Sequence, residues 1–145
     1  MADFVYNIAK FQLLNGDIDF NLPDDIRILL LEAATDENAD DVDVAAVLAR
    51  AGTTELVTYT RGALASEATS QDDANDRAEF DAADIVFSAV VAQNAVVAYV
   101  VFKFITNDAS SIPIMFVDSA TGLPLTPNGS DITITWNAQG ILQLT

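Results

Sequence analysis

The sequence predicts a mainly β protein: a β-sandwich or partly closed antiparallel barrel, of jelly-roll or immunoglobulin-like kind, with one or two short helices near the N-terminus. Three observations carry that expectation. About nine short runs rich in Val, Ile, Phe and Thr follow one another along the chain. Turn signals surround the last five of them, at Gln93-Asn94, Asn107-Asp108, Thr121-Gly122, Asn128-Gly129 and Gln139-Gly140. Neither helical stretch stands where a parallel crossover would need one, which favours a sandwich over βαβ units. The 145 residues, 51% of them hydrophobic, suit one domain over 1–145. A chain of this length buries roughly 70% of its unfolded surface and needs no disulfide or metal to hold a core.

At the N-terminus, Phe4, Ile8 and Phe11 recur at helical spacing with Val5 and Leu14 at the edges, and Gly16 stands where the helix should stop. Ile26 to Leu31 is an apolar run bounded by acids and reads as a buried strand. The acidic run 36–43 precedes a short helix over Val42 to Ala51, ended by Gly52. Glu55 to Thr60 and Leu64 to Ser70 read as strands, and alternation after the acidic turn 71–77 places Ala78 and Phe80 inward. The last five strands are expected at Ile85–Val91, Val96–Ile105, Ile112–Asp118, Ile132–Trp136 and Ile141–Leu144. Val96 to Ile105 is apolar on both faces. It should therefore be a central strand covered on each side, or one whose outer face meets another subunit.

Composition removes several chemistries. The chain has no Cys and no His, which excludes disulfides, thiolate nucleophiles, imidazole ligands and Ser-His-Asp catalysis. Six basic residues against 22 acidic ones give a net charge of −16. No two of Lys10, Arg27, Arg50, Arg61, Arg77 and Lys103 are close in sequence, so direct nucleic-acid binding is not expected. Of the 22 carboxylates only Asp108, Asp118 and Asp131 lie beyond residue 90, so the last third reads as core or interface. The acid at Asp3 and the broken apolar pattern before Asn15 argue against a secretory leader. Residues 85–105 are long enough to span a bilayer, but Gln93-Asn94 at the centre and the β-branched composition favour two buried strands around a turn, and no membrane partner is expected.

The remaining constellations are weak. Residues 36–43 place oxygen ligands like the start of a calcium loop, but Asp41 stands where the loop needs Gly and Val47 where it needs Glu. A solvated loop is the favoured reading, beside a loosely cation-attracting surface. The abundance of carboxylates leaves paired-carboxylate hydrolysis open without supporting it. The sole tryptophan, Trp136, is better read as core packing with its indole N–H bonded locally than as a ligand platform. Gly-rich phosphate loops and the G-x-S-x-G elbow are absent. Arg27, Arg61 and Arg77 are read as intramolecular ion-pair donors rather than intermolecular ones. No catalytic, cofactor-binding or metal-ligating residue is assigned.

Three segments carry a resemblance: Val5 to Lys10 with Leu13 to Gly16, Asn75 to Asp84, and Asn128 to Leu142. Together they resemble small virion structural proteins of tailed bacteriophages, among them the capsid decoration or cement proteins. The chain differs at Gln93-Asn94, where such relatives should have a glycine-rich turn. The resemblance implies a non-enzymatic protein, made in the host cytoplasm, that binds the outer surface of the major capsid protein shell, commonly as a homotrimer. A phage tail, fibre or receptor-binding module is the alternative it leaves open.

Overall fold

The computed structural model describes residues 2–21 and 24–145. The fold is mainly β, with antiparallel sheets in sandwich-like layers and two short helices, and no closed barrel forms among the described residues. In chain order the elements are β1 (Phe4–Val5), α1 (Asn7–Asn15), β2 (Asp25–Ala34), α2 (Val44–Leu48), β3 (Thr53–Glu55), β4 (Gly62–Ala63), β5 (Ala68–Asp72), β6 (Arg77–Asp81), β7 (Ile85–Phe87), β8 (Ala98–Phe104), β9 (Ile112–Val117), β10 (Ile132–Ile134) and β11 (Leu142–Leu144). The large sheet runs β1-β9-β8-β2-β3 with β4 also on β2, while β11-β6-β5 and β10-β7 form smaller sheets.

The longest pairing joins the two longest strands. β2 and β8 run antiparallel from Asp25 opposite Phe104 to Leu31 opposite Ala98. Because opposed residues share a face and successive residues alternate, Leu30 and Tyr99 point one way while Val100 and Phe116 point the other. Both faces of β8 are covered from within the chain. On the Phe116 side Phe4 stacks on Phe116 and meets Tyr6 edge-on. On the Tyr99 side Trp136 stands edge-on to Tyr99, with ring centroids 6.1 Å apart. Of the two readings of Val96–Ile105, the centrally buried strand is therefore the one observed, with residues 98–102 all buried.

Several boundaries differ from the sequence pattern, each for a local reason. The first helix starts at Asn7 because Phe4 and Val5 pair with Phe116 and Met115 as a strand. Counting helical spacing from Phe4 therefore misplaces the buried side. Tyr6, Ala9 and Leu13 turn inward, and Phe11, expected inside, is exposed. The second helix is shorter than expected, starting behind Asp43, whose carboxylate accepts the Ala46 amide hydrogen at 2.7 Å. The strand expected at Glu55–Thr60 instead ends at Glu55, because Thr58 takes a left-handed conformation (φ 56°) and turns the chain. A second left-handed residue, Ser66 (φ 58°), splits the run Leu64–Ser70, so that β4 precedes it and β5 begins only at Ala68.

Phe80 is buried as expected, but Ala78 on the same side of β6 lies exposed at the open end of its sheet, opposite Gln71 and Leu144. Residues 85–105 form two strands, and no helix among the described residues is long and apolar enough to cross a membrane. Those strands are not one hairpin: β7 pairs with β10, and β8 with β2 and β9.

Candidate interaction surface

α1 carries Leu14, the most exposed large apolar side chain among the described residues, with the exposed Phe11 one turn before it. Its outward stripe is Asn7, Lys10, Phe11 and Leu14, and Phe11 and Leu14 are 56% and 89% exposed. No residue between Phe4 and Gly16 is acidic, although the whole chain has 22 carboxylates. At Phe11 and Leu14 the helix offers exposed apolar area with no acid of its own, the kind of surface that a second surface can cover at little cost in carboxylate desolvation, while the Asp40 carboxylate meets Asn7 at the other end.

The stripe is held rigidly. Tyr6 is fully buried ahead of the helix, and its amide donates to Ile114 O at 2.9 Å. At the other end Gly16 adopts φ 75° and its amide donates to Leu13 O at 3.2 Å, closing the helix as its position in the sequence suggests. Asp3 ties the preceding residues to the end of β9, accepting the Asp118 and Ser119 amides at 2.9 and 3.1 Å and the Ser119 hydroxyl at 2.6 Å. Burial opposes the charge on Asp3, yet the Ser119 and Asp118 hydrogen bonds outweigh it and hold the carboxyl below its ordinary range.

The acidic run 36–43 forms the bracket for this helix, and here the solvated-loop reading fails. Glu37 and Asp41 are buried. The Tyr6 hydroxyl donates to Glu37 Oε2 at 3.4 Å, and the Thr53 hydroxyl donates to Oε1. Asn7 Nδ2 donates to Asp40 Oδ1 at 2.6 Å while its amide donates to Ala39 O at 2.8 Å. Asp36 accepts the Gly52 amide at 3.0 Å. Burial pushes the Glu37 carboxyl above its usual value, against the hydrogen bonds from Thr53 and Tyr6. Among the described residues no group of three or more acidic side chains is arranged to hold a metal ion.

The basic residues are largely committed inside the chain. Arg27 grips Asp25 and lies 3.8 Å over the Phe104 ring. Arg61 bridges Glu55 and Asp108, and burial only partly offsets the hydrogen bonds it donates to Glu55, which raise its affinity for the proton. Arg77 closes the β5–β6 hairpin through Asp72 at 3.1 Å and Glu79 at 2.7 Å. The intramolecular reading of all three arginines holds. Lys103 pairs with Asp24 at 2.7 Å, whereas Lys10 donates to the neutral Asn7 Oδ1 at 3.0 Å on the exposed stripe. Trp136 is half-buried, and its indole N–H donates to Ala83 O at 3.0 Å, so the packing and local bonding expected of it are both found.

The sequence pattern placed Phe11 in the core and so missed the stripe. The signal that could have revealed it is the absence of Asp and Glu from a helix in a strongly acidic chain. No family model matches the sequence, no curated protein is significantly similar to it, and no solved structure matches it significantly.

Proposed function

We propose that this chain is a non-enzymatic capsid decoration protein of a tailed phage, binding the outer surface of the major capsid protein shell and stabilising the head. The observation that carries the reading is the acid-free stripe of α1, with Phe11 and Leu14 exposed on a molecule of net charge −16. The resemblance of Val5–Lys10 with Leu13–Gly16, Asn75–Asp84 and Asn128–Leu142 to phage virion proteins supports it and supplies the partner.

The energetics suit a protein that acts in many copies. Covering a Phe or Leu side chain contributes about 1.5–3 kcal/mol before the cost of association is subtracted. One such contact is weak. A homotrimer, the assembly the resemblance implies, presents three stripes at once, and linked contacts on a shared shell multiply their effect. Particles lacking the chain are expected to assemble normally but to lose heat and osmotic resistance. Particles of unchanged resistance, or the chain fractionating with tails when heads and tails are separated, would overturn the reading.

A further inference from the structure

Beside the large sheet and the β10 segment lies an open cleft of about 630 Å³, lined by Leu30, Val96, Tyr99, Ile132, Ile134 and Trp136, with the Tyr99 and Trp136 rings in edge-on contact. This volume is in the range of small-molecule sites. Around it stand short neutral polar side chains: Ser119, Thr121, Thr133, Thr135 and Asn137. The charged residue lining the cleft is Asp3, whose two oxygens already accept three hydrogen bonds from Asp118 and Ser119.

Tyr99 has a hydroxyl with no partner among the described residues, although the residue is only 6% exposed. Every other tyrosine hydroxyl is used: Tyr6 bonds Glu37, and Tyr59 bonds Glu55 and the Leu30 amide. The Tyr99 oxygen is not among the buried polar atoms sealed off without a partner, and Tyr99 lines the cleft. Burial, with the nearby Asp3 charge, pushes its pKa up to about 12, so it stays a neutral donor and acceptor. Trp136 spends its N–H on Ala83 and presents carbon ring surface.

We infer that this cleft binds an uncharged carbohydrate of one or two rings, its C–H face against Trp136 and its hydroxyls on the Tyr99 hydroxyl and the Ser, Thr and Asn side chains around it. Among the described residues the cleft offers no cation for an anionic ligand, so phosphates, nucleotides and uronic acids are disfavoured. It combines the half-buried Trp136 ring with scattered neutral donors and acceptors, which matches a ligand whose polar groups are spread around an apolar ring. This inference is independent of the α1 stripe and stands or falls apart from it.

Trp136 is the sole tryptophan, so its fluorescence reports on the cleft directly. Glucose, galactose, mannose, N-acetylglucosamine, maltose, lactose and chitobiose would each be titrated into the full chain up to about 50 mM, a range that reads millimolar dissociation constants. At least one should give a saturable change, and Tyr99→Phe should weaken it about three- to tenfold without moving the thermal midpoint, since the lost hydroxyl has no partner among the described residues. Glucuronate should give no saturable change. No saturation with any of the seven sugars, or saturation that Tyr99→Phe leaves unaltered, would overturn the inference.

Discussion

Arg50 and Asp41 meet in a two-pronged ion pair, Nε to Oδ2 and Nη2 to Oδ1 both at 2.6 Å, and the Asp41 carboxylate is buried. Arg50 also donates to Asp36 O at 3.1 Å, so one guanidinium gathers the acidic run that brackets α1. Asp41→Asn keeps the volume but removes the charge and one acceptor. It should cost about 2 kcal/mol, less than a fully enclosed pair would because Arg50 is partly exposed, and lower the thermal midpoint by roughly 5 °C. Calorimetry reads both, and an unchanged midpoint would mean that the bracket adds no stability.

The Tyr59 hydroxyl accepts the Leu30 amide hydrogen at 2.8 Å and donates to Glu55 Oε1 at 2.6 Å. A side chain thus completes the hydrogen bonding of β2 beside the point where β3 ends. Tyr59→Phe leaves that amide without an acceptor and should destabilise the fold by about 1–3 kcal/mol in urea unfolding. Hydrogen exchange at Leu30 should accelerate in the same variant.

β4 approaches β7 so closely that a Cβ at Gly62 would collide with Ile85 and crowd Phe87. Gly62 has ordinary φ, so its role is space rather than backbone freedom. Gly62→Ala should cost about 1–3 kcal/mol by overpacking. Pairing it with Ile85→Val should recover part of that loss, and strict additivity in the double variant would contradict the contact.

Glu37 sets a pH dependence of definite sign. Its folded pKa is raised above the ordinary 4.5, first by burial, so its contribution to stability is fully present below that value and is lost as pH rises through the folded one. Glu37→Gln removes the charge and keeps one acceptor oxygen, for either the Thr53 or the Tyr6 hydroxyl. The midpoint of the variant relative to the parent should therefore climb as pH is raised from about 4 to about 8. A difference that stays flat across the range would contradict the burial of this carboxylate. Asp3 works in the opposite sense, since its lowered pKa stabilises at higher pH and its contribution is lost as pH falls.

The elements legible in the sequence are those with dense apolar patterns. Ile26–Leu31, Val96–Ile105 and Ile112–Asp118 lie in three adjacent strands of the large sheet because continuous burial leaves few alternatives. The paired arginines and the bonded indole of Trp136 were legible from side-chain chemistry alone. Other features were set at a distance. Phe4 joined a strand because its partner Phe116 lies more than a hundred residues away, and that shift turned Phe11 outward. Thr58 and Ser66 broke strands by adopting conformations that their types seldom favour. Glu37 and Asp41 looked like solvated acids because Tyr6, Thr53 and Arg50, which satisfy them, are separated from them in sequence.

The most direct test of the proposed role is binding of the purified chain to expanded phage heads that lack it, compared with the double variant Phe11→Ser, Leu14→Ser. Both side chains are largely exposed, so the variant should fold with an unchanged thermal midpoint. Sedimentation of the heads should carry down the parent chain and raise the temperature at which DNA is released, and the double variant should do neither. A parent chain left in the supernatant, or a variant that binds and protects as well as the parent, would contradict attachment through the N-terminal helix.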